Sequence, residues 1–188
     1  PQFVMPPLPT LDGPRAASPE EATSFFDRKP DRFAATLATG TRETQSGSLV
    51  ASHSWERGQI SVGAFDYRGR GLDERMADTH LSGGRVNAQF ALTSDTMVLG
   101  EIRHSERNGG DLDRSLFDGP INTDHRIIND LYRVALRHTF GNGEEFIAEA
   151  NTQRIRERVK DLFQSSGLDN NADATLGQRS KAMSALYS

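Results

Sequence analysis

Five histidines, His53, His80, His104, His125 and His138, are the residues best suited to metal binding or proton transfer, yet no two have the His-Glu-x-x-His spacing and no cysteine joins them. No zinc site is expected. Asp169-Asn170-Asn171-Ala172-Asp173 begins like a calcium loop, but Ala174 stands where the tight turn needs glycine and Ser180 where the bidentate glutamate belongs. The pairs Gly69/Gly71 and Gly141/Gly143 lack the full glycine pattern of a phosphate cradle and read as turns. No Ser/His/Asp set can be assembled from spacing alone. The sequence therefore predicts no enzyme, no metal and no cofactor.

The polar residues with a pattern are of another kind. Arg85, Asn87 and Gln89 alternate with Val86, Ala88 and Phe90, and Glu101 and Arg103 alternate with Gly100 and Ile102. Arg133 and Arg137 fall opposite Tyr132, Val134 and Leu136, and Glu149 opposite Phe146, Ala148 and Ala150. In extended chains this period of two gathers Arg85, Asn87, Gln89, Glu101, Arg103, Arg133, Arg137 and Glu149 into a mixed-charge wall, with apolar side chains on the reverse. A second pattern is cationic: Arg154, Arg156, Arg158 and Lys160 recur at every second residue. They would form one stripe if the strand runs on, and a solvated extension or contact with lipid phosphates would each account for it.

These residues need strands to position them. Alternation predicts about eight, at 32–40, 48–57, 59–68, 79–92, 96–106, 124–140, 143–155 and 174–188, forming an all-β, antiparallel up-and-down meander. Tight turns are expected at Glu56-Arg57-Gly58, Thr93-Ser94-Asp95 and Gly141-Asn142-Gly143, and long polar loops at 69–78, 107–123 and 156–173. Tight turns then collect at one end of the sheet and long loops at the other. Residues 1–31 carry seven of the eight prolines and read as an arm ahead of a β segment at 32–188. One short helix is expected in the arm, capped by Ser18-Pro19-Glu20-Glu21 and running to Phe26.

Hydrophobic residues make up 35% of the 188 and mean hydropathy is −0.60, too little apolar material for a second layer over the apolar strand faces. Either those faces turn inward around a ligand, as in a soluble small barrel, or lipid covers them and the charged faces line a wet interior. The economy of apolar residues favours lipid. Trp55, Phe90, Phe140 and Phe146 all lie near the tight turns, where an aromatic girdle at a membrane interface would fall. The first strands fit less well, because His53 lands among apolar residues and either face of 59–68 suits the outside. The net charge of −4 argues against a nucleic-acid partner.

Gly58-Gln59-Ile60-Ser61-Val62-Gly63-Ala64-Phe65-Asp66-Tyr67, Ala91-Leu92-Thr93-Ser94-Asp95 leading to Gly100-Glu101-Ile102-Arg103-His104, and Asn108-Gly109-Gly110-Asp111-Leu112 resemble the barrels of large Gram-negative outer-membrane proteins. The resemblance, over residues 33–188, is to TonB-dependent receptors and to barrels attached to tetratricopeptide repeats. It implies an outer-membrane location, the lipid bilayer and lipopolysaccharide as partners, and transport or export of a solute or polymer through a polar, porin-like lumen. It also implies a larger barrel with an amino-terminal module and a terminal aromatic residue. This chain shows no TonB box, no plug and no 34-residue repeat, and it closes on Tyr187-Ser188. The expectation is thus an incomplete barrel whose remaining strands lie elsewhere; the alternatives are a soluble β-meander binding module and a surface-exposed structural or adhesion piece.

Overall fold

The computed structural model describes Phe26 and residues 31–41, 43–69, 79–110, 121–165 and 168–187. Their architecture is a single antiparallel sheet, β1 (Arg32–Thr39), β2 (Gln45–Trp55), β3 (Gly58–Gly69), β4 (Thr79–Ala91), β5 (Thr96–Gly110), β6 (Ile121–Thr139), β7 (Glu145–Ser165) and β8 (Leu168–Tyr187). Each strand pairs with its neighbours in chain order. The sheet does not close, since β1 pairs with β2 and β8 with β7. The eight-stranded meander is as the alternation predicted. Of the helix expected in the arm, only Phe26 lies within the described residues, and it sits in a turn.

Strand ends differ from expectation at the long-loop end. β5 continues to Gly110 and β6 starts at Ile121, so the 107–123 loop shrinks to the residues between them. The correction is larger for 156–173. β7 runs to Ser165 and β8 begins at Leu168, with pairing throughout, from Arg156↔Gly177 to Ser165↔Leu168. Polar residues in 156–173 looked like loop because no apolar face marks them. Backbone pairing needs no apolar face once the register is set lower in the hairpin.

The other end matches expectation. The turns after β2, β4 and β6 lie together, with the Ala91 amide donating to Arg57 O at 2.7 Å and the Thr139 amide to Asp95 O at 2.8 Å. In the last of them Gly143 has a φ of +88°, which a side chain would strain. Its amide donates to Phe140 O at 2.9 Å. At the β2–β3 turn, Trp55 lies across Gly58 so closely that a Cβ there would stand 2.5 Å from the ring. Glycine at 58 therefore fixes the indole.

The cross-strand register resolves which residues share a face. One face carries Phe33, Ala35 and Leu37 on β1, Ile60, Val62 and Ala64 on β3, and Val86, Ala88 and Phe90 on β4. It continues through Val98, Gly100 and Ile102 on β5, Tyr132, Val134 and Leu136 on β6, Phe146, Ala148 and Ala150 on β7, and Met183, Ala185 and Tyr187 on β8. The ambiguity at 59–68 is settled in favour of Ile60, Val62 and Ala64 on this apolar face. The band runs obliquely. The cross-strand row from Phe33, the lowest band residue on β1, passes Ala51, Val62, Val86, Ile102, Tyr132 and Thr152 to Lys181, just above the top band residue of β8. A shift of three rows over the sheet corresponds to a slant of about 30° between strand and band normal.

Candidate functional site

The reverse face holds every residue of the predicted wall. Strands β5, β6 and β7 bring Glu101, Arg133 and Asn151 into one row, with Leu99, Ala135 and Glu149 in the next row toward the tight turns. Arg133 stands between two carboxylates, Nη1 at 3.0 Å from Glu101 Oε2 and Nε at 3.0 Å from Glu149 Oε1. Arg103 Nη2 donates to Glu101 Oε1 at 2.9 Å, and Asn151 Nδ2 to Glu149 Oε1 at 2.9 Å. Both carboxylates are buried, Glu101 and Glu149 each 5% exposed. Burial of that degree is tolerable because a guanidinium with two fixed faces neutralises both acids at once.

The remaining wall residues surround this centre. Gln89 is buried and its Nε2 donates to Gln59 Oε1 at 3.0 Å. Asn87 is half-buried, opposite Ser61 and Glu101, and Arg85 is exposed, opposite Gly63 and Arg103. Arg137 leaves the ion network and lies over the Phe26 ring, its Cζ 5.2 Å from the centroid. Phe26 is 3% exposed and packs with Leu99, Ala135 and Ile147, flanked by Met97 and Leu186. The arm thus contributes an apolar anchor to the polar face, next to the tight turns.

Sequence reasoning missed Gln59, Ser61, Ser105 and Asn129, all buried on the same face, and did not single out as lumen candidates two further buried residues of the wall, Asn151 and Gln153. The last two share the phase of Glu149, and that phase was the available signal. Gln153 Nε2 donates to Asn129 Oδ1 at 2.9 Å. Glu149 Oε2, Asn151 Oδ1 and Gln153 Oε1 are buried and accept no hydrogen bond among the described residues. On successive residues of one strand face, they form a line of buried acceptors.

The aromatic candidates lie where the tight turns are. Trp55, Phe90 and Phe140 are exposed and Phe146 half-buried. The Phe140 ring meets His138 edge-on at 4.7 Å and Tyr187 at 6.0 Å. Tyr187 was not anticipated as part of this group; its hydroxyl donates to Glu144 in the turn. That bond and a second from Asn142 hold the Glu144 carboxyl below its usual pKa. His53 does sit among apolar residues, 6.2 Å from Trp55, and is exposed. Its Nδ1 reaches Asp31 Oδ2 at 3.0 Å, beside the bond from the Ser54 amide to Asp31 Oδ1 at 2.6 Å.

Among the described residues no three His, Asp or Glu side chains come together as metal ligands. The five histidines are spread over the sheet, and four face a single carboxylate: His53–Asp31, His80–Asp66, His104–Asp130 and His125–Glu157. The site is a wall: a buried ionic centre, a line of buried acceptors and an aromatic anchor on one face of an open antiparallel meander. No protein-family model, curated protein or solved structure matches the chain.

Proposed function

We propose that this chain forms part of the wall of an outer-membrane β-barrel that passes a solute or a polymer through a polar lumen. One observation carries the reading, the inversion of the two faces. Val134 is 62% exposed and Met183 84%, in a continuous apolar band, while Glu101, Glu149, Gln89 and Asn151 on the reverse are buried. Water is a poor solvent for such a band and lipid a good one. A slant of about 30° between strands and band is close to the strand tilt of membrane barrels. In this setting the aromatic rim of Trp55, Phe90, Phe140, Phe146 and Tyr187 marks one membrane interface.

Among the described residues the outer edges of β1 and β8 are unpaired, which supports the same reading. In lipid each free amide and carbonyl is costly, so both edges need further strands, from the parent chain or from other copies. Passage then depends on the wall. Arg133 and its two glutamates stiffen it, and Arg85 offers an exposed cation to what passes. Reversal of the exposed Arg85 to glutamate in the complete protein should shift single-channel selectivity toward cations; unchanged selectivity would remove Arg85 from the lumen.

The first test is fractionation of cells expressing the chain behind a signal sequence, with gels run before and after boiling. Outer-membrane recovery with a heat-dependent mobility shift is the expected result. A monomer soluble without detergent would overturn the proposal in favour of a ligand-binding meander.

A further inference from the structure

The cationic stripe of β7 is divided by the fold. Arg154, Arg156, Arg158 and Lys160 all lie on the apolar-band face, beyond the band toward the long loops. Arg156 Nη2 is 3.1 Å from Asp130 Oδ2, Arg158 pairs with Asp173 on β8, and Lys160 stands between two acids in register, Asp124 on β6 and Asp173 on β8. Arg154 is different. Its register partner on β8 is Arg179, and the next β8 residue on that face is Lys181, opposite Thr152. All three are exposed, and none has an acidic partner among the described residues. Asp130, across from Arg154 on β6, is already engaged by His104 and Arg156.

Two guanidinium residues directly opposite each other repel, at a separation of about 5 Å between Cα atoms. The sheet holds three such uncompensated cations at one place, which an anion would relieve. The place is informative. Lys181 lies in the row of Tyr132 and Thr152, and the next row toward the tight turns is Val134, Ala150 and Met183, the upper part of the apolar band. A free anion would meet only the cations. A ligand bearing phosphate at one end and acyl chains at the other would satisfy the triad and the band together.

We infer that Arg154, Arg179 and Lys181 bind the phosphate of an anionic lipid headgroup, with the lipid's acyl chains lying on Val134, Ala150 and Met183. This inference rests on the membrane reading above. It adds a specific lipid site, at the rim of the band near the long loops, which are the outward-facing end of such barrels. The stripe as read from sequence held four equivalent cations. The fold retires three by pairing or proximity to acids and recruits two from β8.

The test uses vesicle flotation of the full chain, with vesicles of neutral phosphatidylcholine and with vesicles containing bis-phosphorylated lipid A. The wild type should bind the second more tightly, and the preference should fall as salt is raised. The triple variant R154Q/R179Q/K181Q should lose about fivefold per charge, on the order of 100-fold in all. It should keep its binding to neutral vesicles and its heat-dependent mobility, while R154K/R179K should keep the preference. Retention of the preference by the triple variant would overturn the lipid site and leave the membrane reading standing. So would equal loss of binding when inorganic phosphate competes at the same phosphate concentration, which would make the triad a solute site. Failure of the wild type to float with either vesicle would instead refute the membrane reading.

Discussion

Arg133→Met removes the one cation shared by two buried carboxylates, and the structure says which of the two suffers. The Arg133 side chain is 12% exposed, those of Glu101 and Glu149 are 4% and 2%. Breaking a buried ion pair by deleting one partner destabilises by about 3–5 kcal/mol, because the other charge is left in a poor medium. Glu101 keeps Arg103 at 2.9 Å. Glu149 keeps only the neutral Asn151 amide on Oε1, and its Oε2 accepts nothing among the described residues. The burden therefore falls on Glu149. In urea unfolding from detergent micelles, Arg133→Met should cost about 3–5 kcal/mol, Glu149→Gln in that background should recover about 2–3, and Glu101→Gln less than about 1. Equal rescue by the two glutamine variants, or a cost for Arg133→Met under about 1 kcal/mol, would refute the assignment of the network.

Val134→Arg tests the apolar band. If lipid covers this position the substitution should impair insertion by about 2–4 kcal/mol, read as loss of the heat-shifted band, whereas at a water-facing site its effect should stay within about 0.5 kcal/mol. Phe26→Ala should destabilise the fold by about 3–5 kcal/mol, as expected for a buried phenylalanine, with Phe26→Leu losing far less; equal urea midpoints for wild type and Phe26→Ala would show that the anchor contributes nothing. At Asp31 the Ser54 amide, then His53, hold the folded carboxyl below its unfolded value of 3.8. This bond's stability is full above the unfolded pKa and is lost as pH falls through the folded one, so the wild-type melting temperature should decline more than that of Asp31→Asn between about pH 5 and pH 2. Parallel declines would exclude Asp31 as a contributor.

Strand number, order and phase were legible in the sequence because a period of two is a local property, strong wherever apolar and polar residues alternate without exception. Val86 to Phe90 is such a stretch, and the wall residues it implied, Asn87 and Gln89, lie on the polar face. The pattern failed at 59–68, where Gly63 and Ala64 are small on both sides. There the neighbours decided: β4 presents Val86 and Ala88 opposite Val62 and Ile60, and Asn87 and Gln89 opposite Ser61 and Gln59.

What only the tertiary structure decided depends on pairs distant in the chain. The 156–173 stretch has no continuous apolar face, so local pattern marks it only weakly as strand, yet register propagated from Phe146↔Tyr187 up to Ser165↔Leu168 makes it a hairpin. Arg133 becomes a shared partner only when β5 and β7 flank β6, and Arg154 meets Arg179 only across the β7–β8 ladder. Phe26, expected at the end of a short helix, is a buried anchor against Leu99 on β5, Ala135 on β6 and Ile147 on β7. Alternation assigns a residue to a face; which charge it meets there is set by the register of strands that are neighbours in space, and a linear pattern does not carry that information.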